Sequence, residues 1–130
     1  MLRSCAVLFL ISSVSGLAHA EGLRAVRPLP GYVCMQLALT PDQLTSSKVG
    51  VPIRKAPSRS APIAGYAANN VIVQDPPRTE AGFLRVLDPN GDEGWIEAGY
   101  LRPWSNPYAP GARCVPSIMS NGKPGFGSGR

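Results

Sequence analysis

Residues 82–101, GFLRVLDPNGDEGWIEAGYL, carry the pattern that decides the fold. A short apolar run at 83–87 is followed by the turn sequence DPNGD at 88–92, and a second apolar run begins at 94. An Asn-Gly pair between two apolar runs is a strong signal for a β-hairpin with a tight turn. The stretch therefore predicts two antiparallel strands joined at residues 88–92.

Short apolar runs of the same kind precede this hairpin, at residues 51–55, 63–68 and 71–73. Turn-forming residues separate them at close spacing, and no stretch of this region has the periodicity of a helix of ordinary length. Five short strands within about 50 residues predict a small all-β barrel. The side chains expected to fill its core are Ile53, Ile63, Val71, Val73, Leu84, Val86 and Ile96.

Four segments of this region resemble the bacterial SH3 (SH3b) domain family. VPIRKAPS at 51–58 is similar to the family's opening LNVRSGPS, and SAPIAG at 60–65 is similar to its S-x-V-I-G segment. GFLRV at 82–86 resembles its G-W-Y-K-V strand, and GDEGWIEAGYL at 91–101 resembles its closing G-x-x-G-W-V-x-x-x-Y-L. The resemblance implies a five-stranded SH3-like barrel at residues 49–104, with a short 3₁₀ turn before its last strand.

The first twenty residues have the pattern of a secretory signal peptide. Arg3 supplies the positive charge, residues 6–11 are apolar, and Ala18-His19-Ala20 fits the small-x-small cleavage pattern. The apolar stretch is shorter than the roughly 20 residues of a membrane span. We therefore expect cleavage after Ala20, a periplasmic or secreted protein, and no stable membrane insertion of the mature chain.

The segments on either side of the expected barrel lie outside the SH3b pattern. Residues 21–48 form an N-terminal extension in which YVCMQLAL at 32–39 alternates and predicts a strand, with a short helix as the alternative. Residues 105–130 form a Pro/Gly-rich C-terminal extension, and its final stretch at 120–130 is expected to be a mobile tail. Both extensions are expected to be largely irregular.

Two cysteines, Cys34 and Cys114, are left after the expected cleavage, because Cys5 lies in the leader. Two cysteines in an exported chain usually form a disulfide. The bond would close a loop of about 80 residues and stabilise the fold by roughly 4–5 kcal/mol on chain-entropy arithmetic. The alternative is two free thiols.

The charge and the histidine count exclude several function classes. The chain has 13 Lys and Arg against 8 Asp and Glu, and removal of Arg3 changes the net charge from +5 to +4. These charges are scattered, whereas nucleic-acid binding calls for a dense basic stripe. The single histidine, His19, lies in the leader, so histidine-dependent nucleophile activation and metal ligation are not expected in the mature chain. We expect no enzyme, cofactor, metal site or nucleic-acid partner.

Four aromatic side chains are the first candidates for ligand contact. In the SH3 resemblance, Tyr100 follows the 3₁₀ turn and lines the peptide groove. Trp104 and Tyr108 lie among prolines, where exposed rings could stack on a peptide or glycan. Trp95 begins the returning strand and could contact ligand. For all four, the alternative is packing on the barrel.

Two acidic residues, Asp75 and Glu80, flank a proline-containing loop, as acidic residues do in SH3 specificity loops. The alternative is that both residues are solvated charges of the loop with no ligand. Asp88 and Asp92 are acidic as well, but they lie in the predicted turn, where Asp is favoured for backbone reasons. No catalytic carboxylate pair is therefore predicted.

The expected function is that of an exported, non-catalytic binding module. The SH3b resemblance implies recognition of a peptidoglycan stem peptide or of an envelope protein segment through an SH3-type groove. The alternative is a structural or assembly subunit of a cell-envelope complex, which large exposed apolar patches would favour. We expect a monomer.

Overall fold

The computed structural model describes residues 22–40 and 50–129. Within these residues the chain is all-β, with one 3₁₀ turn and no α-helix, which confirms the predicted class. The strands are β1 (Ala25–Pro28), β2 (Tyr32–Leu37), β3 (Val51–Arg54), β4 (Ile63–Ala67), β5 (Asn70–Gln74), β6 (Thr79–Glu80), β7 (Phe83–Leu87), β8 (Glu93–Glu97), β9 (Leu101–Pro103), β10 (Arg113–Met119) and β11 (Pro124–Gly129).

The larger of two antiparallel sheets has the strand order β4-β3-β8-β7-β5-β2-β9, and β6 pairs with β7. The five predicted apolar runs are the strands β3, β4, β5, β7 and β8, and the predicted turn joins β7 to β8. The sheet has eight strands instead of the expected five, because β2, β6 and β9 also belong to it. In the described residues the sheet does not close into a barrel, since no hydrogen-bonded pairing joins its two end strands, β4 and β9.

The core lies on one face of this large sheet. Leu84 is half-buried and packs against it, whereas Ile63, also predicted as core, is 41% exposed. The prediction for Ile63 is wrong because the β3–β4 register shifts between Ile53 and Arg54, and Ile63 then lies opposite the outward-facing Arg54. The buried core residues are Leu37, Val51, Ile53, Ala67, Val71, Val73, Val86 and Ile96.

Gly94 allows β3 to approach β8 closely at the centre of the core. A Cβ atom at this position would lie 2.4 Å from Ile53 Cγ2 and 3.2 Å from the Arg54 carbonyl oxygen. The missing side chain is thus a packing requirement, since this backbone is ordinary β-strand. It accounts for the Gly-Trp pair at the start of the returning strand.

The smaller sheet has the strand order β1-β10-β11 and is also antiparallel. It is built from the two segments that were expected to be irregular, so that expectation is wrong. The expectation of a mobile tail is also wrong for residues 120–129, which form the β10–β11 turn and β11. Cross-strand pairing of β11 with β10, from Arg113↔Gly129 to Ile118↔Pro124, supplies the order that composition alone did not predict.

A disulfide joins the two sheets. Cys34 of β2 is bonded to Cys114 of β10, with the two Cα atoms 6.0 Å apart, as the cysteine count predicted. Cys34 lies opposite Ile72, and Ile72 lies opposite Leu87, so these three residues share the face of the large sheet away from the core. We call this face the outer face.

The predicted signal peptide and its cleavage after Ala20 lie outside the described residues, as do residues 41–49. In the part of the chain that is described, no helix is long and apolar enough to cross a membrane.

Candidate functional site

Trp95 lies on the outer face and is only 4% exposed. It is directly opposite Arg85 on β7 and opposite Arg54 on β3. The guanidinium carbons of Arg78 and Arg85 lie 5.5 Å and 5.0 Å from the centre of its ring. The two guanidinium groups thus lie within cation–π distance of the ring, and little of Trp95 is exposed to solvent.

Three ion pairs surround this tryptophan. Arg85 pairs with Glu93, Arg78 Nη2 lies 3.3 Å from Glu80 Oε1, and Arg59 pairs with Glu97. The hydrogen bond and the negative charge of Glu97 raise the pKa of Arg59 above its ordinary value. Arg59, Arg78 and Arg85 thus each have a carboxylate partner.

The remaining predicted ligand contacts are dispersed. Tyr100 is 40% exposed and ends the 3₁₀ turn Ala98–Tyr100, where its carbonyl oxygen accepts a hydrogen bond from the Ala38 N–H. Trp104 is half-buried and lines a cleft beside the disulfide. Tyr108 is 97% exposed. Asp75 is exposed, and its N–H donates to the Gly31 carbonyl oxygen.

Among the six predicted contact residues in the described chain, Glu80 and Trp95 share a partner, Arg78. Trp104 lines a different cleft, with Cys34, Cys114 and Arg113 among its neighbours. The sequence-predicted set is therefore spread over several parts of the molecule.

A second concave surface lies between the two sheets, and we call it the intersheet groove. Its volume is about 560 Å³. Residues 66–72 and 87–89 of the large sheet form one wall, and Met119 and residues 123–126 of the small sheet form much of the other. The remaining lining residues are Leu23, Ile53 and Asn121.

The rim of the intersheet groove carries large apolar side chains. Leu23 is 63% exposed, Tyr66 is 42% exposed and Phe126 is 41% exposed. Tyr66 belongs to β4 and Phe126 to β11, and these two strands are edges of their sheets among the described residues. Apolar side chains that converge on one concavity are characteristic of a binding surface, whereas isolated exposed apolar residues are ordinary.

Contact between two hairpin turns closes one end of the groove. A Cβ atom at Gly91 would lie 3.0 Å from Pro124 Cδ, so the β7–β8 turn is packed against the start of β11. Lys123 Nζ lies 3.5 Å from Asn90 Oδ1 across the same contact. Gly91 has a φ of 92°, a conformation that favours glycine, so the turn and the contact both need it.

Polar groups at the groove differ in how well they are satisfied. Asp88 is buried, and its Oδ1 accepts hydrogen bonds from the N–H groups of Asn90 and Asp92 at 2.8 Å and 3.0 Å. Asn70 Oδ1 is buried with no hydrogen-bond partner. An unpaired buried carbonyl is costly, so a bound donor that reached it would be stabilising.

Sequence reasoning missed this groove because it treated the end of the chain as a tail. A local signal was present: Asn121-Gly122 follows the run Val115–Met119, and Asn-Gly is the same hairpin dipeptide that identified the β7–β8 turn. The Pro/Gly-rich composition of residues 120–130 outweighed that signal. The apposition of β4 with β11 depends on tertiary packing and has no short-range signature.

The described residues contain no group of three or more His, Cys, Asp or Glu side chains that could hold a metal ion. Comparison with known proteins gives no match to a family model, to a curated protein or to a solved structure.

Proposed function

We propose that this protein is an exported, non-catalytic module that binds an extended segment of another envelope protein in the intersheet groove. The observation that carries the proposal is the concave, mainly apolar surface with Leu23, Tyr66 and Phe126 exposed at its rim. A volume of about 560 Å³ is within the range of binding pockets.

The groove favours a polypeptide segment because its walls combine apolar side chains with amides. Asn69, Asn70 and Asn121 line it and offer both donors and acceptors to a peptide backbone. β4 and β11 are edge strands at the groove, and an unpaired edge is a template for an added strand. An extended segment could thus place alternate apolar side chains against the rim.

The SH3b resemblance is part of this proposal. The β7–β8 hairpin, the 3₁₀ turn Ala98–Tyr100 and the short strand β9 follow one another in the order that the resemblance implies. We assign residues 49–104 to an SH3-like module and the small sheet to an addition that forms the second wall of the groove.

Export is proposed from the leader pattern of residues 1–20 together with the Cys34–Cys114 disulfide. Disulfides persist in oxidising compartments such as the periplasm and the extracellular space. The partner would therefore be an envelope or secreted protein.

The test is a selection of peptides on the full chain with its disulfide formed. A displayed library of random peptides about twelve residues long is used, which is enough for an extended strand. The groove variant is the double substitution Tyr66→Thr and Phe126→Thr, because threonine removes both rings and keeps strand propensity. The matched control is Tyr108→Thr, since Tyr108 is an exposed ring outside the groove lining.

Enrichment that is lost in the groove variant and kept in the control supports the proposal. Enrichment that is instead lost in Tyr100→Ala, Trp104→Ala or Tyr108→Thr would place binding at that aromatic residue, as first predicted from sequence. Absence of enrichment, together with saturable binding to peptidoglycan sacculi, would favour the cell-wall interpretation. If neither peptide enrichment nor binding to sacculi is found, a structural or assembly subunit becomes the favoured function.

A further inference from the structure

We infer that the segment bound in the intersheet groove carries a carboxylate that pairs with Lys123. This inference rests on the proposed function and names the chemistry of its partner: an extended, apolar segment with one acidic side chain near the closed end of the groove.

Charge at the groove is confined to two side chains. Asp88 and Lys123 are the charged residues among those that line it. The Asp88 carboxylate is buried and already accepts two hydrogen bonds from turn N–H groups, so it is committed to holding the β7–β8 turn. Asp88 is consequently a buried anion that stabilises the turn.

Lys123, in contrast to Asp88, is exposed and has no charged partner among the described residues. Its side chain is exposed, and the contact described for its ammonium group is the neutral Asn90 amide oxygen at 3.5 Å. No ion pair of the described residues includes it, whereas Arg59, Arg78 and Arg85 each have a carboxylate partner. Lys123 is thus the one positively charged side chain among the residues that line the groove, and no carboxylate of the described residues pairs with it.

The position of Lys123 determines where along the groove the acidic residue of the segment would lie. Lys123 directly precedes Pro124, the first residue of β11, beside the contact that closes the groove. A segment alongside Tyr66 and Phe126 would bring one residue near this ammonium group. Complementary charge at such a rim site contributes to partner choice and association rate.

The experiment uses three fluorescent, end-capped heptapeptides of alternating valine and threonine whose central residue is Glu, Gln or Lys. Binding to the full chain is followed by anisotropy. We expect the Glu probe to bind tighter than the Gln probe by about two- to fivefold, the range of an exposed ion pair, and the Lys probe to bind weakest. The preference should vanish at roughly 1 M salt, where the Debye length is about 3 Å.

Lys123→Glu should reverse the order of the three probes, and Lys123→Met should abolish it. Lys55→Glu is the matched control, because it makes the same charge change at an exposed lysine outside the groove lining and should keep the wild-type order.

Two results would overturn the inference. The first is equal binding of the three probes. The second is that Lys55→Glu changes the order of probe affinities as much as Lys123→Glu does. Either result would show that Lys123 does not select an acidic residue. If random peptides are still enriched in a groove-dependent way, the proposed function stands without it. Failure of all three probes alongside loss of library enrichment would reject both.

Discussion

The outer face of the large sheet is covered in two different ways along its width. Across β2, β5 and β7, the side chains of Cys34, Ile72 and Leu87 lie in register, and the disulfide ties this half to the small sheet. Across β7 and β8, Trp95 lies on the same face but is covered by the arginines Arg78 and Arg85. One half is linked to a second sheet, and the other is covered by its own long side chains.

The difference shows how one sheet can have two kinds of surface. Apolar burial and a covalent link give the first half most of its stability, because both terms are large. Cation–π contacts and exposed ion pairs give the second half little, because water and salt compete with them. The first half should therefore control global unfolding and the second only local order.

Removal of the disulfide should have the largest effect. The double variant Cys34→Ala, Cys114→Ala is expected to lose roughly 4–5 kcal/mol of unfolding free energy, since the closed loop spans 80 residues. Urea unfolding with and without reductant measures it, and reductant should no longer matter in the variant. A loss below about 1 kcal/mol would contradict the view that the bond stabilises the first half.

Ile72→Ala should cause the second-largest loss of unfolding free energy. Ile72 is buried on the outer face opposite the disulfide-bonded Cys34, and truncation of a buried isoleucine costs about 2–5 kcal/mol. The urea midpoint of the oxidised protein checks this, with Ile63→Ala as the control because Ile63 is exposed. Equal losses in the two variants would show that the burial of Ile72 adds nothing to the free energy of unfolding.

Arg85→Met should cost about 1 kcal/mol, because it removes a cation–π contact with Trp95 and the pairing with Glu93 while keeping an aliphatic arm. Trp95 emission, read in a Trp104→Phe background, should shift to longer wavelength as water reaches the ring. Arg102→Met is the control at an exposed arginine of β9. An unchanged emission spectrum would mean that Arg85 does not shield the ring.

Arg78→Met should have the smallest effect, about 0.5 kcal/mol or less, because Arg78 is more exposed and lies farther from the Trp95 ring. Its effect should shrink further at high salt, whereas that of Ile72→Ala should not. A salt-independent loss as large as that of Ile72→Ala would erase the distinction between the two halves.

Sequence patterns predicted the parts of the fold that depend on local chemistry. The Asn90-Gly91 turn, the strands on either side of it and most of the core followed from turn residues and alternation. Ile63 was misassigned because a register shift depends on both strands of a pair and is invisible in one. The small sheet was missed because pairing of β1 with β10 joins residues about 90 apart in the chain.

The candidate site was less predictable than the fold. Trp95 was singled out as an aromatic residue, but the arginines over its ring include Arg78, which lies outside the β7–β8 hairpin. The intersheet groove combines Leu23 with residues near the opposite end of the described chain. Such a surface exists only after both sheets have packed, so a linear pattern contains little of it.

The disulfide also makes the proposed binding surface sensitive to redox conditions. Cys34 lies in the large sheet and Cys114 in the small sheet, and these two sheets form the walls of the intersheet groove. Breaking the bond removes the covalent link between the two walls. We therefore expect the proposed binding to weaken under reducing conditions, even where the large sheet stays folded.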